Sequence, residues 1–187
     1  MTIQKQIEDL ENEISAQKQK LAELKRSLPP LELEDFEFQG ANGPVKLSEL
    51  FGDSSDLVVI NNMGRGCAYC TLWADGLNGC VPELRSRAGF ALVSADPIEV
   101  LAPFAAERGW RFDCVSGHGV GFAKALDLVE EEGGVWPAVI GLYKDAEGKI
   151  WRIRQSSLGE GDDYAPIWHL LALLKDGWAG WEPDYRL

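Results

Sequence analysis

The feature that most constrains this chain is the run Leu57-Val58-Val59-Ile60-Asn61-Asn62, led in by Asp56 and apolar over most of a strand's length. Alternating polarity would mark a strand with one wet face. A continuous run marks a strand buried on both faces, which needs helices on each side of its sheet. Gly64-Arg65-Gly66 follows directly, and then Cys67-Ala68-Tyr69-Cys70. The cysteine pair therefore stands where a buried strand passes into a helix. Two intervening residues put the second sulfur one turn below the first, within the distance a disulfide requires. Cys67 then faces the unpaired N–H groups and positive dipole end of that helix, which favour thiolate over thiol and make it the attacking sulfur. Cys70, one turn deeper, is the resolving thiol. Arg65 either adds positive charge to the same spot or is an ordinary solvated loop arginine.

The pair has two other readings. It could be half of a tetrahedral zinc site completed by Cys80, Cys114, His118 or His169, or a pair of buried structural thiols. No second C-x-x-C and no H-x-x-H occurs, so zinc ligands would come from scattered single positions. Taken singly, Cys80 and Cys114 read as small buried hydrophobes, and His118 as a solvated loop histidine. Four cysteines in 187 residues, two of them clustered, suit a reducing compartment better than a secreted disulfide scaffold. With no apolar run of transmembrane length and no signal-peptide centre, the expected location is the cytoplasm. Acidic residues number 30 against 18 basic, a net charge of −12 that repels phosphate backbones and anionic membrane surfaces. No nucleic acid, membrane, cofactor or resident metal is expected as a partner.

At the N-terminus, aliphatic residues fall at Ile3, Ile7, Leu10, Ile14, Leu21, Leu24 and Leu28, with Gln17 filling the missing step. This is a four-heptad seam without Gly or Pro, ended by Pro29-Pro30, and it predicts a helix of roughly 40 Å. Residues 1–28 carry five basic and five acidic side chains, so the net charge belongs to the remainder and a boundary falls near Pro29-Pro30. We therefore divide the chain into a coiled-coil dimerisation arm over 1–30 and a domain over 31–187. The same amphipathic helix would also suit a fold-back onto its own domain.

Phe36-Glu37-Phe38 and Pro44-Val45-Lys46-Leu47 flank a glycine-containing turn and predict a hairpin, after which Ser48 can cap a short helix. Phe90–Ser94 reads as a second buried strand, Pro97–Arg108 as a helix ended by Gly109, Trp110–Val115 as a strand and Ala123–Glu132 as a helix. Val139–Tyr143 and Ile150–Ile153 flank a turn, and Tyr164–Lys175 is the last helix. Strands that alternate with helices and then close with a hairpin and a helix imply an α/β sandwich with a mixed central sheet. The tail Gly177–Leu187 carries Trp178 and Trp181, suited to pinning it onto the domain.

The order strand, C-x-x-C, helix, strand, helix, then Val135-Trp136-Pro137-Ala138-Val139 before a hairpin resembles the thioredoxin-like superfamily over residues 31–176. The resemblance implies an α/β/α sandwich and makes Pro137 a cis proline packed on the disulfide, with a backbone edge beside Trp136 left open for substrate. Local sequence alone favours a trans proline. The leading hairpin and Gly43–Phe51 are similar to the peroxiredoxin side of the superfamily. Cys67-Ala68-Tyr69-Cys70 followed by Trp73-Ala74-Asp75-Gly76 resembles an uncharacterised bacterial group allied to the alkyl hydroperoxide reductase and thiol-specific antioxidant branch.

Several positions depart from those patterns. The tryptophan that thioredoxins place before the first cysteine is Gly66 here, and their buried acid six residues ahead is Asn61. The proline and threonine of peroxiredoxins fall at Ile60 and Gly64 relative to Cys67, and at Met63 and Cys67 relative to Cys70. Trp73 could cover the disulfide or be plain core, and Asp75 could serve as a base or be a surface carboxylate. The expected function is thiol–disulfide exchange with protein or small-molecule thiols and disulfides. The alternatives are a peroxiredoxin-like thiol peroxidase, or a non-enzymatic dimeric adaptor with a structural or zinc-bound cysteine pair.

Overall fold

In a computed structural model that describes residues 2–131 and 133–184, the chain opens with helix α1 (Ile3–Ser27), short strand β1 (Leu31–Leu33) and the hairpin β2 (Glu37–Gly40) and β3 (Gly43–Lys46). A 3₁₀ turn (Leu47–Glu49), β4 (Asp56–Asn62), α2 (Ala68–Asn78), α3 (Val81–Arg85), β5 (Gly89–Ser94) and α4 (Ile98–Arg108) follow. Then come β6 (Asp113–Ser116), α5 (Phe122–Ala125), β7 (Ala138–Lys144), β8 (Ile150–Ser157) and α6 (Ile167–Leu171). The strands form one mixed sheet in the order β1-β8-β7-β4-β5-β6-β2-β3. β4 runs parallel to β5, with Asn62 opposite Ser94, and antiparallel to β7, with Asn61 opposite Ala138. This is the mixed α/β sandwich with a long N-terminal helix expected from the sequence.

The continuous apolar run does what it predicted. Leu57 and Val59 enter one core cluster with Phe38, Phe51, Phe122 and Ile140, while Ile60 enters another with Phe90, Leu92, Trp73 and Trp168. The cysteine helix α2 packs on the second cluster through Cys70, Trp73 and Ala74.

Elements differ from expectation where local chemistry intervenes. The helix expected over Ala123–Glu132 is only Phe122–Ala125: Asp127 turns the backbone to φ 55°, and Val129 then bridges to Val135. Its expected end, Glu132, lies outside the described residues. The last helix starts at Ile167 instead of Tyr164 because Pro166 sits at its start and Asp162 Oδ1 binds the N–H groups of Tyr164 and Ala165 in a turn, and it ends at Leu171. Ser48 lies inside its 3₁₀ turn, where Asp35 accepts its N–H and hydroxyl, so it caps nothing. The strand expected from Trp110 begins at Asp113, and β1 was not anticipated. Gly109 ends α4 in the left-handed region at φ 65°. The tail is pinned as expected: Trp178 and Trp181 pack edge-on against Trp168, and its last residues, 185–187, lie outside the described residues.

Helix α1 buries none of its residues. Its seam from Ile3 to Leu28 is open, down to Ile7 at 46% exposed and up to Ile3 at 76%. It meets the domain through Lys18, whose Nζ lies 2.6 Å from Asp163, and through Lys25, which donates to Ser156. Between them a groove of about 350 Å³ separates Leu21 and Ala22 from Val139 and Tyr164.

Candidate active site

Cys67 is the N-cap of α2, extended at φ −97° and ψ 105°, and its Sγ accepts the Cys70 N–H at 3.2 Å. The sulfur thus fills the acceptor role usually given to a serine or aspartate oxygen at this position. Cys70 is 2% exposed, and its Sγ accepts the Met63 N–H at 3.4 Å. The two sulfurs are free thiols that share a hydrogen bond. That bond, donated from Cys70, is the main cause that lowers Cys67 from 9.0 to about 6; burial works against it, and the N–H groups of Cys70 and Tyr69 reinforce it. The same bond, and then burial, pushes the Cys70 thiol far up. Cys67 is thus biased toward thiolate and Cys70 toward thiol, an asymmetry that thiol–disulfide exchange between an attacking and a resolving sulfur would use.

The loop that presents Cys67 is held from beneath by two residues that sequence reasoning missed. Asn62 Oδ1 accepts the Gly64 N–H at 2.7 Å, and Asp96 Oδ2 accepts the Arg65 N–H at 2.6 Å. Gly64 has φ 107°, and a Cβ there would stand 2.6 Å from the Asp96 carboxylate. The available signal was two amides closing an apolar strand and an acid just beyond the neighbouring strand. Arg65 is exposed, and hydrogen bonds and burial, not its charge, set the Cys67 titration.

The other sequence candidates fall in distinct places. Trp73 is 3% exposed in the cluster that contains Cys70, so it is core against the pair. Asp75 does not serve the cysteines as a base: Arg108 binds it through two nitrogens and Trp110 Nε1 donates to it at 2.8 Å, tying α2 to the end of α4. Tyr69, between the cysteines, donates to Glu160 at 2.5 Å and stacks on Trp168 with ring centroids 6.0 Å apart. That carboxylate pushes the Tyr69 phenol up to about 12.

Pro137 corrects an expectation. No peptide bond among the described residues is cis, so the Trp136–Pro137 bond is trans. The edge implied to be open is also closed. The Trp136 N–H donates to Leu128 O at 2.9 Å, its carbonyl accepts from Asn61 Nδ2 at 2.7 Å, and the Pro137 carbonyl accepts the Leu158 N–H at 3.0 Å. Asn61, standing where thioredoxins keep an acid, is what makes the second of these bonds. Pro137 is buried, whereas the Trp136 side chain is 53% exposed.

Among the described residues no group of three or more His, Cys, Asp or Glu side chains could hold a metal ion, so the pair finds no third ligand for zinc. Cys80 is exposed rather than buried. Burial, then Asp113, pushes Cys114 up to about 12. The N–H of His118 donates to Ser116 Oγ at 3.3 Å, and its Nδ1 lies 3.1 Å from Ala95 O. Among the described residues no helix is long and apolar enough to cross a membrane.

A family model described as "Bacterial protein of unknown function (DUF899)" matches residues 3–177. No curated protein matches the sequence. Solved structures show the fold. Peroxidoxin BcpB from Mycobacterium tuberculosis is 22% identical with a TM-score of 0.59, over 68% of this chain and 84% of that one. A peroxiredoxin Q mutant from Xanthomonas campestris is 21% identical at 0.56, over 66% and 80%. Reduced Prx3 from Vibrio vulnificus, in complex with hydrogen peroxide, is 15% identical at 0.56, over 72% and 87%. The fold is accordingly thioredoxin-like, similar to that of these peroxiredoxins.

Proposed function

For this chain, which belongs to the bacterial family of unknown function DUF899 and has a thioredoxin-like fold, we propose thiol–disulfide oxidoreductase activity with Cys67 as nucleophile and Cys70 as resolving thiol. One observation carries the reading: the Cys67 sulfur caps α2, accepts the Cys70 N–H at 3.2 Å, and has the Cys70 sulfur buried one turn below. The Cys67 thiolate attacks one sulfur of a disulfide RS–SR; that S–S bond breaks, and one RS⁻ leaves. The Cys70 thiol gives its proton to this thiolate and attacks Cys67 Sγ, expelling the second RS⁻. The chain loses two electrons and becomes a disulfide, the substrate gains them as RSH and RS⁻, and a cytoplasmic dithiol reductant resets the pair. Reduction of a small disulfide by Cys67→Ser tests this. Complete loss is expected, and a variant with native activity contradicts the assignment.

A peroxidase is the second reading, favoured by the hydrogen peroxide held in the Vibrio vulnificus neighbour. The Cys67 thiolate with one proton would reduce ROOH to ROH and become a sulfenic acid, which the Cys70 thiol converts to the disulfide with release of water. Ile60 and Gly64, where peroxiredoxins keep proline and threonine, count against fast chemistry. Stopped-flow peroxide consumption no faster than that of free cysteine rules it out.

The arm joins two copies in this proposal. Its aliphatic seam is exposed from Ile3 to Leu28, although Leu21 also lines the groove beside the domain, and a second identical seam is the surface it matches. Sedimentation of the full chain and of Leu10→Lys tests this: a dimer that becomes a monomer is expected, and a native monomer ends the reading.

A further inference from the structure

We propose that this site takes small disulfides and turns away extended polypeptide, and that Asn61 is the positioning residue that sets this choice. The inference rests on the oxidoreductase reading above and narrows its substrate class.

A polypeptide laid in extended form beside a reactive pair binds through free main-chain N–H and C=O groups, and side-chain pockets only refine that binding. Several such groups are already bonded on both flanks of this pair. On one flank, the Trp136 N–H is bound to Leu128 O and its carbonyl to Asn61 Nδ2, while Pro137 has no N–H and its carbonyl is bound to Leu158. Ala138 already pairs with Asn61 on one side and Ser157 on the other. On the other flank, the N–H groups of Met63, Gly64, Arg65 and Cys67 are bound to Cys70 Sγ, Asn62, Asp96 and Gly64 O.

Asn61 is decisive because its chemistry is specific. It is 3% exposed, and its side-chain amide donates to the Trp136 carbonyl at 2.7 Å. A carboxylate at this position would set two acceptors against each other and release the carbonyl. The amide therefore closes the edge at the cost of the proton acceptor an acid would supply. The surface that remains is the half-buried Cys67 with Met63 and Trp136 exposed at the same sheet end, 38% and 53% respectively. Those two side chains can contact the substituents of a small disulfide without main-chain pairing.

The test uses the reduced full-length protein and two probes with the same leaving group and no net charge. One is bis(2-hydroxyethyl) disulfide. The other is a short extended peptide whose central cysteine carries the same hydroxyethyl disulfide. Loss of thiolate ultraviolet absorbance gives each rate constant. The small probe is expected to react at least about tenfold faster, the scale of one main-chain hydrogen bond left unmade. In Asn61→Ala the freed carbonyl raises the peptide rate, so the ratio narrows several-fold while the Cys67 titration stays in place. Equal rates in the native chain overturn the size selection and leave the oxidoreductase reading standing. An unchanged ratio in Asn61→Ala overturns the part given to Asn61. No reaction with either probe overturns both readings.

Discussion

Two helices of this chain are built on opposite terms. α1 has 25 residues and buries none, whereas α2 has 11 and buries four, including Cys70 and Trp73. The first is a helix for local reasons: a run without Gly or Pro that is mostly Gln, Lys, Glu, Leu and Ala, a Thr2 cap on the Lys5 N–H and a Lys5–Asp9 pair one turn apart. The second begins at a cysteine cap and is fixed by what surrounds it, from Asn62 and Asp96 under its leading loop to Arg108 and Trp110 on Asp75. A helix that tertiary contacts hold at its start and along its buried face can keep a thiolate poised. One held by two lysines offers its face to something else.

The contrast is broken or sharpened by substitutions on each side. The largest effect is expected at the pair itself. Cys67→Ser abolishes exchange, and Cys70→Ser stops after the first step, leaving a mixed disulfide on Cys67 that intact-mass spectrometry detects. Next comes the core beneath the pair: Trp73→Ala should cost about 3–5 kcal/mol in denaturant unfolding. Asp75→Ala should cost about 1–3 kcal/mol through its lost hydrogen bonds, yet leave the pH–rate midpoint at about 6, which a catalytic base would not do. On α1 the effects shrink. Lys18→Ala removes an exposed ion pair worth no more than about 1 kcal/mol, and added salt should erase the difference. An arm substitution as costly as Trp73→Ala would dissolve the contrast.

What could be read from residue order divides along the same line. The heptad steps, the doubly buried strand and the cysteine cap are signals carried within a few residues, and each element stands where it was expected. The site's supports are not local. Asp96 reaches the Arg65 N–H across 31 positions, and Asn61 reaches the Trp136 carbonyl across 75. Nothing in the immediate neighbourhood of either residue announces the bond. The cis form of Pro137 failed for a related reason. It was implied by resemblance to proteins with an acid where this chain has Asn61, and here the amide binds the Trp136 carbonyl beside a trans bond. The shortened helices followed from residues whose local preferences outran the apolar pattern, Asp127 in a left-handed turn and Asp162 capping ahead of Pro166.

The central claim is a charge on one sulfur and a proton on the other. Thiolate absorbance of the reduced full-length protein, followed against pH and compared with Cys67→Ser, tests it most directly. One thiolate should appear with a midpoint of about 6, vanish in the variant and coincide with the rise of the exchange rate as pH increases. A first midpoint near the ordinary 9.0, or one that survives in Cys67→Ser, contradicts the account.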